Sequence, residues 1–157
     1  MANVAELYRK SSAIPLVGQR LFSLAFAQKA PYFWSIRPRF TVIEPNHAEL
    51  VIPKRRAVQN HLGTVHAIAL CNGLEAAMGA LAEATIPSNK RWIPKGMDIR
   101  YTAKATTDIT CVAETDPADW AREGDVEIPV RVKGVRGDGT PVVQGTIRLW
   151  VTDKPAR

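Results

Sequence analysis

Asn60-His61-Leu62-Gly63-Thr64-Val65-His66 runs straight into Ala67-Ile68-Ala69-Leu70-Cys71-Asn72-Gly73-Leu74-Glu75-Ala76-Ala77-Met78-Gly79-Ala80-Leu81-Ala82, and the reading of this passage decides the fold. The first seven residues are a polar, histidine-bearing loop that turns on Gly63. From Val65 to Ala82 apolar residues occur nearly all the way round a helix instead of along one stripe, which marks a helix enclosed by protein or by lipid. One charge, Glu75, lies near its middle. A lone carboxylate in such surroundings is costly unless it is paired, hydrogen-bonded or protonated.

Working outward, the period changes on both sides of this helix. Upstream, Phe40–Glu44 and Ala48–Ile52 are short β-branched runs joined by Pro45-Asn46-His47, which reads as a hairpin. Pro53 closes the second strand, and Lys54 to Asn60 leads into the helix. Downstream, Pro87-Ser88-Asn89 breaks the helix near Ala84, and four strands are expected. They are Trp92–Lys104 (broken or bulged at Pro94-Lys95-Gly96), Asp108–Glu114, Val126–Gly134 and Pro141–Thr152. The last two alternate apolar and polar residues, as a sheet with one covered face should. One enclosed helix and about six antiparallel strands predict an α+β domain in which a curved sheet wraps the helix. The chain of 157 residues reads as a single domain, with 1–34 as an N-terminal helical extension and 36–152 as the core. Such a sheet leaves edge strands free, and edge-to-edge pairing predicts a homodimer or a dimer of dimers.

The extension, residues 3–30, reads as two helical pieces. Val4, Leu7 and Tyr8 share a face, and Ser11-Ser12 interrupts. Pro15 suits the first turn of the second piece, in which Ile14, Val17, Leu21 and Leu24 recur at helical spacing until Pro31 ends it. With Phe22, Phe26, Phe33 and Trp34 nearby, and Arg20 and Lys29 within it, the segment is either a lid packed on the domain or a membrane-surface helix.

Composition narrows the classes. No run reaches the roughly 18–20 uninterrupted apolar residues of a membrane span, so stable membrane insertion is not expected. No secretory signal is visible, and a cytoplasmic location is expected. Cys71 and Cys111 are isolated, which suggests free thiols and neither a disulfide framework nor a zinc site. Three histidines without ligand spacing argue against a metal. The net charge of +6 lies wholly before the helix: residues 1–64 hold nine Lys/Arg against three acids, while 65–157 hold twelve of each. Lys54-Arg55-Arg56 is the densest point, either an anion site or a solvated surface cluster. No aromatic and basic interleaving accompanies it, so nucleic acid is not an expected partner.

Asn60-x-x-Gly63-x-x-His66, with Glu75 nine residues beyond the histidine, resembles the PaaI-like hotdog-fold thioesterases, which carry Asn-x-x-Gly-x-x-His-Gly-Gly and then an acid on the central helix. Pro31-Tyr32-Phe33 and Ile36-Arg37-Pro38-Arg39, together with Asn60–Asn72, are similar to the hotdog subgroup DUF4442. The resemblance implies hydrolysis of an acyl-CoA-like thioester, with coenzyme A entering as part of the substrate and no other cofactor. It implies Glu75 as general base or nucleophile, Asn60 positioning water or thioester, the Ala67 backbone N–H as oxyanion hole, and a site formed between two subunits. His66 would position the loop. Gly63, Ile68 and Asn72 are expected beside the substrate, and the charge of Lys54, Arg55 and Arg56 suits them to the phosphates of coenzyme A.

Chemistry fits these roles: free N–H groups at a helix start stabilise a developing oxyanion, and an amide both donates and accepts. Asn60 also reads as a turn residue bonded to its own backbone. Asn72, one turn before Glu75, either orients it or caps a polar pocket. Two departures stand out. Ala67-Ile68 replaces the Gly-Gly after the histidine. The hydroxyl that the family often carries on the following strand is missing from Ile93-Pro94-Lys95-Gly96, leaving Asp98 or Thr102 as replacements. These departures motivate an alternative, a non-catalytic acyl or acyl-CoA binding protein. A further alternative is a 3-hydroxyacyl thioester dehydratase, because His61 precedes Glu75 by the spacing of that family's histidine and acid; Leu62-Gly63-Thr64 stands where that family has Phe-Pro.

Overall fold

The computed structural model describes residues 3–15 and 17–155. The central helix, α3 (Ala67–Thr85), starts two residues after the apolar run begins, because His66 takes the N-cap position. Its backbone is extended there (φ −64°, ψ 141°), and its ring Nδ1 accepts the Ile68 N–H at 3.0 Å. One of the donors orphaned at a helix start is thereby satisfied.

Six antiparallel strands wrap this helix: β1 (Arg39–Glu44), β2 (His47–Ile52), β3 (Lys90–Tyr101), β4 (Ile109–Glu114), β5 (Val126–Arg136) and β6 (Pro141–Asp153). Their order in the sheet is β1-β2-β4-β5-β6-β3. Alternation sets the faces. Ala48, Leu50 and Ile52, then Val126, Ile128, Val130 and Val132, and then Ile147, Leu149 and Val151 are all buried, while the intervening residues meet solvent. Helix α3 lies chiefly across β2 and β4 and touches β1 and β5 less. The approach is close enough that a side chain on Gly73 would meet Ile52 Cδ1 at 2.4 Å and Cys111 Sγ at 2.8 Å. This is the hotdog architecture that the resemblance implied. Helix α3 is also the one described helix long and apolar enough to cross a membrane, and 67% of it is buried inside the fold.

The extension folds as α1 (Val4–Ser12) and α2 (Gly18–Lys29), followed by a 3-10 turn at Pro31–Ser35. Asn3 caps α1 through the Ala5 N–H at 2.8 Å, and its amide donates to Ala84 O at the end of α3, 3.1 Å away. Tyr8, Phe22, Phe26, Phe33 and Phe40 form a ring cluster with centroids 4.7–6.2 Å apart. Ser23 Oγ accepts the Phe40 N–H at 3.0 Å. The extension therefore packs on β1, and β3 remains the uncovered edge of the sheet.

One expectation is corrected. Pro15 lies in the linker between the helices, not in a first helical turn, because α2 starts only at Gly18, where a Cβ would meet Ser11 O at 1.7 Å. Ile14, Val17, Leu21 and Leu24, which recur at helical spacing, are each about half exposed, and Phe22, Ser23, Phe26 and Ala27 face β1. Helix α2 is apolar on two sides, so periodicity alone does not say which one packs. Between β4 and β5 lies a one-turn helix, α4 (Pro117–Trp120), capped by Asp116.

The close helix–sheet approach gives a test. Gly73→Val overpacks the Ile52–Cys111 contact and is expected to lower stability by about 1–3 kcal/mol, read as a lower urea midpoint at unchanged m-value.

Candidate active site

The loop before α3 closes on itself. Asn60 Oδ1 accepts from the Leu62 N–H (3.0 Å) and the Thr64 N–H (3.2 Å), while Asn60 Nδ2 donates to Thr64 Oγ1 (2.9 Å). The Asn60 N–H donates to Thr64 O, and the Gly63 N–H donates to Asn60 O. Gly63 has φ +73°, the left-handed region that glycine enters without strain. Two further backbone bonds anchor the exit, Val65 N–H to Ala105 O and His66 N–H to Val58 O. The Asn60 side chain thus holds the loop, with one amide hydrogen left over. His61 is exposed on the same loop.

At the start of α3, the Ile68 N–H goes to the His66 ring and the Leu70 N–H to His66 O. Among the described residues the Ala67 N–H takes no partner, so a donor carrying the positive end of the helix dipole is left at this turn. From there Ile68, Cys71 and Glu75 follow at helical spacing as the stripe of α3 that the sheet does not bury: Ile68 is 56% exposed, and Cys71 and Glu75 are half-buried. No ion-pair partner for Glu75 occurs among the described residues.

Strand β3 flanks this stripe. Trp92 packs over Gly79, 3.6 Å from where its Cβ would lie, and donates Nε1–H to Glu83 at 2.9 Å. The Tyr101 hydroxyl lies 3.2 Å from Cys71 Sγ, one turn before Glu75. Tyr101 thus supplies a hydroxyl beside the stripe, beyond the Ile93–Gly96 region in which the resemblance expects one. The register shift between Pro94 and Gly96 places Met97, Ile99 and Tyr101 opposite Ile147, Gly145 and Val143, on the face toward α3. Continuing the alternation beyond that bulge would have found it. Burial, then the bond and charge of Cys71, push the Tyr101 phenol up to about 12. Asp98 and Thr102 do not supply the missing hydroxyl. Asp98 pairs with Arg148 on the opposite face, and Thr102 donates to Pro141 O at 2.7 Å.

Asn72 is buried, and its side chain turns away from Glu75 toward the Pro31–Ser35 turn. Nδ2 donates to Ser35 Oγ at 3.0 Å, and Oδ1 takes no partner among the described residues. On the other side of that turn Arg55 Nη2 donates to Ser35 O, and Arg55 Nε is buried without a partner. Burial, then the nearby Arg37 cation, lower the Arg55 pKa. Of the basic triplet, Arg56 points to solvent, while the Lys54 N–H is held by Asp108 at 2.8 Å. The groove between α1 and β1, about 760 Å³, touches none of Asn60, Ala67 or Glu75.

The family model described as a domain of unknown function, DUF4442, matches residues 18–151, and the chain belongs to that family. Among solved structures, the genomics target APC5556 is 40% identical, with a TM-score of 0.82 over 96% of this chain and 99% of its own. The Pseudomonas aeruginosa protein PA5026, described as a probable thioesterase, is 23% identical, with a TM-score of 0.75 over 82% of this chain and 91% of its own. A thioesterase family protein from Silicibacter pomeroyi is 18% identical, with a TM-score of 0.68 over 87% and 98%. The last two establish likeness of fold. No protein of curated function matches the chain.

Two outcomes are expected. His66→Ala removes the helix cap and lowers stability by about 1 kcal/mol, whereas His66→Asn, another capping residue, retains most of it; equal losses in urea unfolding would contradict the cap. Alkaline absorbance titration should show a tyrosine near pH 12 that Tyr101→Phe removes.

Proposed function

We propose that the protein hydrolyses acyl-CoA or a related acyl thioester at a site shared by two subunits of a homodimer, in the cytoplasm and without a cofactor. The observation that carries this reading is the pair on α3: the unpartnered Ala67 N–H at the helix start and the half-buried Glu75 carboxylate on the stripe that leads away from it.

Eight residues separate the two, about 12 Å along the helix axis. An oxyanion donor must lie about 3 Å from the carbonyl oxygen, and a base must reach a water that attacks the same carbonyl carbon. One copy of α3 does not bring both groups to one carbonyl. A second copy does so if its Glu75 faces the first copy's Ala67. The uncovered β3 edge, twelve residues long with Ile93 and Tyr101 exposed, supports such pairing.

In the proposed reaction Glu75 takes a proton from water, and the water oxygen attacks the thioester carbonyl. The oxyanion is held by the Ala67 N–H of the other subunit. Collapse of the tetrahedral species breaks the C–S bond, and the thiolate leaves with the proton held by Glu75. In this reading Arg55, a partly buried cation without a carboxylate partner among the described residues, meets a coenzyme A phosphate.

A second reading, acyl-CoA binding without turnover, is favoured by one observation: the Asn60 amide is already engaged by its own loop. Thiol release from a panel of acyl-CoAs separates the two. Hydrolysis is expected in the wild type and a loss of about 10²–10⁴-fold in Glu75→Ala. Asn60→Ala is expected to lower activity together with stability. Absence of turnover across the panel, or full activity in Glu75→Ala, contradicts the hydrolase.

A further inference from the structure

The outer side of the N-terminal extension has no place in this reaction and carries six of the exposed large hydrophobic residues of the fold. Helix α2 buries Phe22, Ser23, Phe26 and Ala27 and turns a second apolar face outward. On that face Val17, Leu21 and Leu24 are 47%, 53% and 47% exposed, flanked by Ile14 at 50%, Trp34 at 48% and Tyr32 at 70%. Six large apolar or aromatic residues are exposed on this extension, and two of them, Leu24 and Trp34, line one groove, the mark of an interaction surface. A groove of about 570 Å³ crosses it, floored by Leu24 and Ala27, walled by Trp34 and rimmed by Arg20, Arg37 and Arg39.

Charge identifies the occupant. From Leu7 to Ile43 the chain holds six Lys/Arg and no acid. Arg39 is paired with Asp108, but Arg20, Lys29 and Arg37 take no ion-pair partner among the described residues. Contact of this face with the same face of a second copy would set these cations against one another. An anionic lipid surface meets every feature at once. Leucine, isoleucine and valine side chains enter the acyl boundary, tryptophan and tyrosine sit at headgroup level, and arginine and lysine reach the phosphates along their apolar stems. We propose that the face formed by α2 and the Pro31–Ser35 turn docks on an anionic phospholipid surface. The proposal does not depend on the reaction at Glu75.

The test is co-sedimentation of the full chain with phosphatidylcholine–phosphatidylglycerol vesicles and with phosphatidylcholine vesicles alone. Binding to the anionic vesicles only is expected, weakening as salt is raised. It should be accompanied by a blue shift of tryptophan emission that Trp34→Phe abolishes. Leu21→Glu with Leu24→Glu, and separately Arg20→Glu with Lys29→Glu, are each expected to weaken vesicle binding by roughly tenfold or more. All four positions are exposed, and an unchanged circular dichroism melt confirms that the variants fold. Three results overturn the proposal: no preference for anionic vesicles, vesicle binding unaltered in both double variants, or no vesicle binding combined with a change of oligomeric state in the leucine variant. Retention on an acidic acyl carrier protein without vesicle binding would assign the face to a protein partner and overturn it as well.

Discussion

A 19-residue helix that is apolar on almost every side must be enclosed, and the rest of the chain is arranged around that demand. The sheet supplies most of the enclosure, with Gly73 letting α3 settle against Ile52 and Cys111. The N-terminal extension closes the far end, where Asn3 takes up the Ala84 carbonyl. What the chain leaves uncovered is a narrow stripe, Ile68, Cys71 and Glu75, bordered by β3. In the proposed function a second copy completes this stripe.

The helix start shows how the loop sequence serves that stripe. His66 uses its ring to satisfy Ile68, and its carbonyl to satisfy Leu70, leaving the Ala67 N–H without a partner among the described residues. Asn60 and Thr64 lock the loop so that the helix begins at a fixed place and angle. With Ile68 exposed next to the free N–H, the branched side chain borders the position that the proposed reaction assigns to the carbonyl. Replacement of the Gly-Gly by Ala67-Ile68 therefore shapes the approach to the donor without removing it.

The fold was legible because its main signals are local and periodic. The all-round apolar run gave α3, two-residue alternation gave β5 and β6, and Pro87 gave the end of the helix. Ambiguity arose where two local signals competed. In α2 both faces are apolar, and only the packing of Phe22 and Phe26 on Phe40 shows which is inside. In β3 the bulge at Pro94–Gly96 shifts the side-chain register, so Tyr101 falls on the face toward α3, outside the stretch in which the resemblance expects a hydroxyl. The links from Asn72 to Ser35 and from Arg55 to Ser35 join segments 37 and 20 residues apart in sequence. No spacing rule foretells such contacts.

The central claim is that the oxyanion donor and the carboxylate of one site come from different subunits, and subunit complementation tests it most directly. Glu75→Ala removes the base, and Ala67→Pro removes the donor at the first helical position, where proline is tolerated and the extended His66 backbone suits a following proline. Each variant alone is expected to be inactive. In a mixed dimer, one site then combines an intact Ala67 N–H with an intact Glu75, and the account predicts thiol release at about half the wild-type rate per mixed dimer. Mixed dimers as inactive as their parents would place both groups within one subunit and contradict it.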